Sequence, residues 1–112
     1  MFAIFENCSY TSEDSKSPLK PLEFTASCER VYQKIQKDVV EKNYYGVEIK
    51  KDFYEIYYWY LGFEVTISLT PSTEVNNKTY LNIMVYGEKK RGRTRKMLKN
   101  LLNYYQDLLK DL

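Results

Sequence analysis

Residues 44 to 69 form three consecutive strand-like segments whose two faces can be written out residue by residue, and this pattern constrains the fold more than any other feature. Alternation with a period of two residues is typical of β-strands that bury one face. The short connections between the segments predict an antiparallel meander with tight turns at Lys51-Asp52 and Leu61-Gly62. The predicted strands are 44–50, 53–60 and 63–69.

The turns determine which side chains share a face of the sheet, because successive residues of a strand point to opposite sides. The first turn predicts Val47 opposite Ile56, and the second predicts Val65 opposite Tyr58. The mostly aliphatic face then contains Tyr45, Val47, Ile49, Tyr54, Ile56, Tyr58, Tyr60, Phe63, Val65, Ile67 and Leu69. We expect this face to form the core.

Three further segments complete the predicted fold. Apolar residues at helical spacing predict an N-terminal helix over about 27–42 and a long C-terminal helix over about 94–111, and alternation predicts a fourth strand at 79–86. The result is an α+β fold, a two-layer sandwich in which both helices pack on an antiparallel β-meander of about four strands. Residues 1–112 form a single domain, within which the serine- and proline-containing stretch 7–21 is predicted to be a flexible connector.

The second face of the predicted sheet is also aromatic, and it needs another cover if both helices pack on the first face. Its apolar members are Tyr44, Phe53, Tyr57, Trp59, Tyr80, Met84 and Tyr86. Aromatic side chains bury about 150–250 Å² each, so leaving them exposed creates an apolar patch of several hundred Å². The sequence leaves three coverings open: the chain itself, through the N-terminal segment with Phe2, Ile4 and Phe5 or through one of the helices; a second copy or another protein; and stacked nucleic-acid bases.

Glutamates on the second face disfavour nucleic acid there, because carboxylates repel phosphates. The three are Glu48, Glu55 and Glu64. The predicted register sets Glu48 opposite Glu55, which is the nearest approach in this sequence to a paired-carboxylate site for acid–base catalysis. Neutralisation by Lys50 is the simpler interpretation of that pair.

A basic segment leads into the predicted C-terminal helix. Its members are Lys89, Lys90, Arg91, Arg93, Arg95, Lys96 and Lys99. They are seven of the seventeen basic residues, and the other ten are outnumbered by fifteen acidic ones. Basic residues at a helix N-terminus oppose the helix dipole, whereas the free N–H groups of that end together with cations suit an anion. The segment predicts a site for nucleic acid, a phosphorylated ligand or an acidic protein, with a solvated loop as the alternative.

The composition argues against the commonest enzyme chemistries. The chain has no histidine, which removes Ser-His and Cys-His nucleophile pairs and imidazole metal ligands. Its two cysteines, Cys8 and Cys28, form neither a disulfide framework nor a metal-binding pattern. We therefore expect a protein that is not an enzyme and that uses no metal and no cofactor.

The sequence predicts a cytoplasmic protein without a membrane segment. The longest apolar run, Ile56–Phe63, is far shorter than the ~20 residues of a spanning helix. The first six residues lack the basic start of a signal peptide.

The order of elements resembles that of helix-grip, START-like ligand-binding domains. The resemblance rests on Leu22–Ile35, in which a short strand leads into the first helix, and on the meander and terminal helix that follow. The chain has fewer strands than a full member of that group. The resemblance implies a ligand cavity between the terminal helix and the sheet.

Three functional hypotheses follow. The first is an interaction module that self-associates as a homodimer, or binds another protein, through the aromatic sheet face. The second is a nucleic-acid-associated protein that binds phosphates through residues 89–99. The third is a small-ligand carrier with a helix-grip-like cavity.

Overall fold

The structure, a computed structural model, describes residues 7–14, 17, 19–88 and 92–112. It is an α+β fold with a six-stranded antiparallel sheet and two helices. The elements in chain order are β1 Cys8–Tyr10, β2 Leu22–Phe24, α1 Cys28–Lys42, β3 Tyr45–Lys50, a 3₁₀ turn Lys51–Phe53, β4 Glu55–Tyr60, β5 Phe63–Pro71, β6 Thr79–Tyr86 and α2 Thr94–Leu108. Within these ranges, no helix has the length and apolar character needed to cross a membrane.

The sheet has the order β1-β6-β5-β4-β3, and β2 also pairs with β6. Strands β1 and β2 therefore form one edge together, because Cys8 lies opposite Tyr86 and Leu22 lies opposite Leu81 on the same strand. Thr11 continues the pairing beyond β1, since its backbone N–H donates to the Ile83 carbonyl at 3.0 Å. The described part of the predicted connector 7–21 thus contains a strand of the sheet.

Both helices lie on one face of the sheet, as the sequence predicts. Helix α1 packs across β5 and β3, and α2 packs across β6 and β1. The buried side of α1 consists of Cys28, Val31, Tyr32, Ile35 and Val39. Ser27 caps its start by accepting a hydrogen bond from the Arg30 N–H, and Asn43 ends it in the left-handed conformation.

The hairpin between β4 and β5 has the predicted register. Val65 lies opposite Tyr58, and Tyr60 and Phe63 form the last pair before the turn. Leu61 and Gly62 both have positive φ, as in the type I′ turns that connect two-residue hairpins. The buried residues of the two strands alternate strictly, so only one register places them all in the core.

The predicted hairpin between β3 and β4 is wrong in its turn and its register. Ile49, not Val47, lies opposite Ile56. The turn is longer than the predicted Lys51-Asp52, because a 3₁₀ turn over Lys51–Phe53 is followed by Tyr54 in the left-handed conformation. This register pairs the buried Ile56 with Ile49, which is partly buried against the core, and the contact of the two side chains favours it.

A β-bulge in β3 reverses the predicted faces of its first residues. The pairing shifts between Tyr45, which lies opposite Trp59, and Glu48, which lies opposite Tyr57. Gly46, with φ of 65°, supplies the left-handed conformation that such a bulge favours. The extra residue interrupts the alternation, so Tyr45 lies on the face opposite to the one predicted.

Candidate interaction surface on the open sheet face

The face of the sheet away from the two helices, called the open face here, is lined by aromatic and apolar side chains. Its apolar members on the strands are Tyr10, Tyr45, Tyr57, Trp59, Tyr80, Met84 and Tyr86. Trp59 is 41% exposed, and Tyr10, Tyr45, Met84 and Tyr86 are also exposed. Exposed patches of large apolar side chains are uncommon on monomers, so this face is a candidate surface for association.

The strand pairing brings the most closely spaced aromatic side chains of this patch into one row across four strands. Tyr86, Glu64, Trp59 and Tyr45 lie side by side in that order on β6, β5, β4 and β3. Gly46 supports the row, because a Cβ atom at that position would lie only 2.8 Å from Cδ1 of the Trp59 ring. The indole therefore lies directly on the bulge.

The predicted surface residues divide into two groups. Tyr57, Trp59, Tyr80, Met84 and Tyr86 lie on the open face, as the alternation of β4 and β6 predicts. The other two predicted members do not lie on strands of this face.

Tyr44 was placed on the wrong face, and Phe53 in the wrong element. The bulge directs Tyr44 to the helix side, where its ring stacks on Tyr58 with centroids 4.4 Å apart. Phe53 lies in the 3₁₀ turn and is 72% exposed. Sequence reasoning missed Tyr45 and Tyr10, of which Tyr45 would have been found by treating Gly46 as a bulge residue.

The polar groups of the open face are mutually paired. The Tyr57 hydroxyl donates to the Glu55 carboxylate at 2.6 Å, and this hydrogen bond raises the pKa of Tyr57. The Lys50 ammonium lies 3.9 Å from the Glu48 carboxylate and 5.9 Å from the centroid of the Tyr57 ring. These interactions position the phenol ring and pair Glu48 with a cation.

The predicted pairing of Glu48 with Glu55 is wrong. Glu55 lies opposite Lys50, and Glu48 lies opposite Tyr57. The two carboxylates therefore do not form the coupled pair that acid–base catalysis on this face would need.

Four of the seven predicted anion-binding residues can be located. Arg93, Arg95, Lys96 and Lys99 are exposed around the first turns of α2. The remaining three, Lys89, Lys90 and Arg91, lie outside the described residues, as do Phe2, Ile4 and Phe5 of the N-terminal segment. The free backbone N–H groups at the start of α2 carry partial positive charge, the same sign as these cations. The first turn contains no acidic residue that would balance this charge.

Tyrosines fill the space between α2 and the sheet. Tyr58 and Tyr105 are fully buried, and their hydroxyls hydrogen-bond to each other at 2.8 Å. The Tyr104 hydroxyl lies 2.8 Å from both carboxylate oxygens of Asp38 on α1 and joins the two helices. Because the phenols are held away from water, burial raises the pKa of Tyr58 and of Tyr105 above its ordinary value, and that of Tyr44 to about 12.

The described residues form neither an obvious metal-binding cluster nor an obvious reactive-thiol site. No three histidine, cysteine, aspartate or glutamate side chains converge within the described ranges. Cys28 is buried, and partial burial raises the pKa of the Cys8 thiol, which disfavours the reactive thiolate.

Comparison of the chain with protein-family models, with curated proteins and with solved structures found no match.

Proposed function

We propose that this protein is a non-enzymatic interaction module that forms a homodimer by packing two open faces together. The observation that supports the proposal is the row of exposed aromatic side chains on a sheet face that neither helix covers. At about 25 cal/mol per Å², removing ~400 Å² of this surface from water provides on the order of 10 kcal/mol before the costs of association are subtracted.

The size of the open face suits a dimer. Five strand positions at a spacing of ~4.8 Å give a width of about 24 Å. The longest strands, β5 and β6, have nine and eight residues, which corresponds to a length of about 27 Å. The projected area of about 650 Å² is smaller than the accessible area of its side chains, so the face approaches the ~800 Å² per partner of a stable interface.

The charges of the open face suit a second copy in one particular orientation. Glu48 and Lys50 occupy neighbouring rows of β3, with Thr66 and Ser68 in the same two rows of β5. Consider a twofold axis that lies between the two stacked sheets, perpendicular to the strands and midway between these rows. This axis places each row of one copy opposite the other row of the second copy. Glu48 then lies opposite Lys50 of the second copy, and Thr66 lies opposite its Ser68.

The same axis avoids opposing like charges in the outer rows of the interface. Glu64 would lie opposite Thr70 of the second copy, and Tyr86 would lie opposite its Tyr80, because these residues occupy the outer rows. Two sheets packed in this way keep their strands within about 30° of alignment, which is the usual geometry of stacked sheets.

Sedimentation equilibrium of the wild type and two matched variants tests the proposal. Trp59→Glu places a charge at the centre of the aromatic row, and we expect the dimer dissociation constant to rise at least about thirtyfold. Val40→Glu makes the same type of change at an exposed apolar residue of α1, outside the open face, and should leave the dimer intact. A wild type that stays monomeric up to about 1 mM would contradict the proposal.

A second candidate function is phosphate-backbone binding by the N-terminal end of α2. Four exposed basic side chains surround that end, and its first turn has no acidic residue. We expect Arg93→Glu combined with Arg95→Glu to abolish a salt-dependent affinity for RNA or DNA oligonucleotides, measured by fluorescence anisotropy. Lys34→Glu combined with Lys37→Glu on α1 is the control, and absence of wild-type affinity at low salt would reject this candidate.

A further inference from the structure

A cleft of about 600 Å³ opens at one end of the helix layer, on the opposite side of the sheet from the open face. It lies between the C-terminal end of α1, the turn between β4 and β5, and the middle of α2. The side chains that define it are Lys42, Tyr44, Tyr60, Leu61, Met97 and Tyr104. Its volume is within the range of small-molecule sites, ~300–1,000 Å³.

The aromatic walls of the cleft are held in place by contacts behind them. Tyr44 stacks on the buried Tyr58 and meets the ring of Tyr60 edge-on at 5.4 Å. The Tyr104 hydroxyl is fixed by the Asp38 carboxylate. A ligand that enters would therefore find ordered rings and would not have to order them itself, which lowers the cost of binding.

Leucine at position 61 is unfavourable for the conformation of the turn, but its apolar side chain suits the wall of a cleft. It has φ of 51°, a conformation that costs a residue with a side chain ~1 kcal/mol and that asparagine or glycine tolerates better. It is also 67% exposed, so it gains little from burial in the chain itself. The side chain extends the apolar wall formed by Met97 and the tyrosines.

Lys42 is the one charged side chain among the described residues that line the cleft. The Lys42 ammonium lies 5.5 Å from the centroid of the Tyr104 ring. Among the described residues it forms no ion pair with a carboxylate. Asp38, the nearby acid of α1, already accepts the Tyr104 hydroxyl, and Asn100 adds an amide to the rim.

We propose that this cleft binds a flat apolar molecule of one or two rings that has a single carboxylate or sulfonate group. The rings pack between Tyr44, Tyr60 and Tyr104 against Leu61 and Met97. The anionic group pairs with Lys42. This site is independent of the proposed dimer, because the sheet separates it from the open face.

Titration of ¹⁵N-labelled protein with 2-naphthoate, followed by NMR, tests the proposal. We expect the amide signals of Leu61, Met97 and Asn100 to shift, with a dissociation constant of about 1 mM or lower. The indole N–H of Trp59, on the other side of the sheet, should not move. Naphthalen-2-ylmethylammonium, which has the same rings and the opposite charge, should bind at least about threefold more weakly.

Two variants in the cleft and one control variant on α1 separate binding in the cleft from nonspecific binding. Lys42→Met keeps most of the side-chain length and should weaken 2-naphthoate about three- to tenfold, whereas Lys34→Met, at an exposed site on the same helix, should have no effect. Leu61→Asn should weaken binding while raising the melting temperature, because Asn-Gly is the preferred pair for a type I′ turn. The proposal is overturned if 2-naphthoate shifts none of the cleft signals, if the cationic probe binds equally well, or if Lys42→Met binds like the wild type.

Discussion

At the scale of single residues, Gly46 determines what the open face presents. Its positive φ introduces the bulge that moves Tyr45 to the open face and Tyr44 to the helix side. Its missing side chain leaves room for the indole of Trp59, whose Cδ1 atom would lie 2.8 Å from a Cβ atom. One glycine therefore places residues of both candidate sites.

We expect Gly46→Ala to destabilise the protein by about 1 kcal/mol more than Gly92→Ala. Both glycines have positive φ, so both substitutions carry the conformational cost of ~1–2 kcal/mol. Only at Gly46 does the new methyl group also meet the Trp59 ring, since nothing lies within 4 Å at Gly92. Urea unfolding gives the difference, and tryptophan emission should change for Gly46→Ala alone. Equal losses of stability and unchanged emission would contradict this role of Gly46.

At the scale of the elements, the two hairpins show how far the sequence determines the fold. The β4–β5 hairpin was predicted correctly because strict alternation and a two-residue turn ending in glycine leave one register. The β3–β4 hairpin was not, because Gly46 adds a residue to one strand and Phe53 enters a 3₁₀ turn. Local alternation does not reveal either irregularity, since both depend on pairing Ile49 with Ile56 across the sheet.

The sequence did not predict strand β1 or the hydrogen bonds of the tyrosines, and the reason is different from that for the hairpin. Strand β1 has only three residues, and it forms because β6 offers an unpaired edge. The hydrogen bonds Tyr58–Tyr105 and Tyr104–Asp38 join residues far apart in the chain. The alternation of β4 and β6, by contrast, was enough to place five of the seven predicted surface residues on the open face.

Because the tyrosines between α2 and the sheet have raised pKa values, we expect the protein to lose stability at alkaline pH. Tyrosine in an unfolded chain titrates near pH 10, whereas in the folded protein the pKa is about 12 for Tyr44 and is raised for Tyr58, Tyr104 and Tyr105. Above pH 10 the unfolded chain loses protons that the folded chain keeps, so the free energy of unfolding falls as pH rises. It should be constant below about pH 9, where all these phenols are protonated in both states.

Urea unfolding between pH 8 and 11.5 measures this effect. Each tyrosine that keeps its proton contributes up to about 1.4 kcal/mol per pH unit, with the buried Tyr58 and Tyr105 contributing more than the half-buried Tyr44. Tyr44→Phe should make the fall shallower, whereas Tyr10→Phe, at an exposed site of β1, should not. A free energy of unfolding that stays flat up to pH 11 would show that the tyrosines ionise equally in both states.

At the scale of the whole molecule, the two layers have different uses. The helix layer buries the aliphatic face of the sheet and shapes the cleft at its end. The open face remains uncovered by either helix, with Glu48 and Lys50 in adjoining rows. In the proposed dimer, an axis across the strands places Glu48 of one copy opposite Lys50 of the other.

Charge reversal on β3 tests that orientation. We expect Glu48→Lys alone and Lys50→Glu alone each to weaken the dimer about three- to tenfold, because each opposes like charges between the two copies. The double variant restores opposite charges and should recover most of the wild-type affinity in sedimentation equilibrium. Losses that simply add in the double variant would rule out the proposed axis and leave the use of the face to be assigned to another orientation.

The most direct test of the central claim is acrylamide quenching of Trp59, the only tryptophan in the chain, measured over a wide range of protein concentration. Trp59 is 41% exposed in the single chain and would be buried in an outer row of the proposed interface. The account predicts that quenching decreases as concentration rises, in step with the dimer fraction from light scattering. A dimer that forms while the quenching of Trp59 stays constant, or a monomer at every concentration, would contradict it.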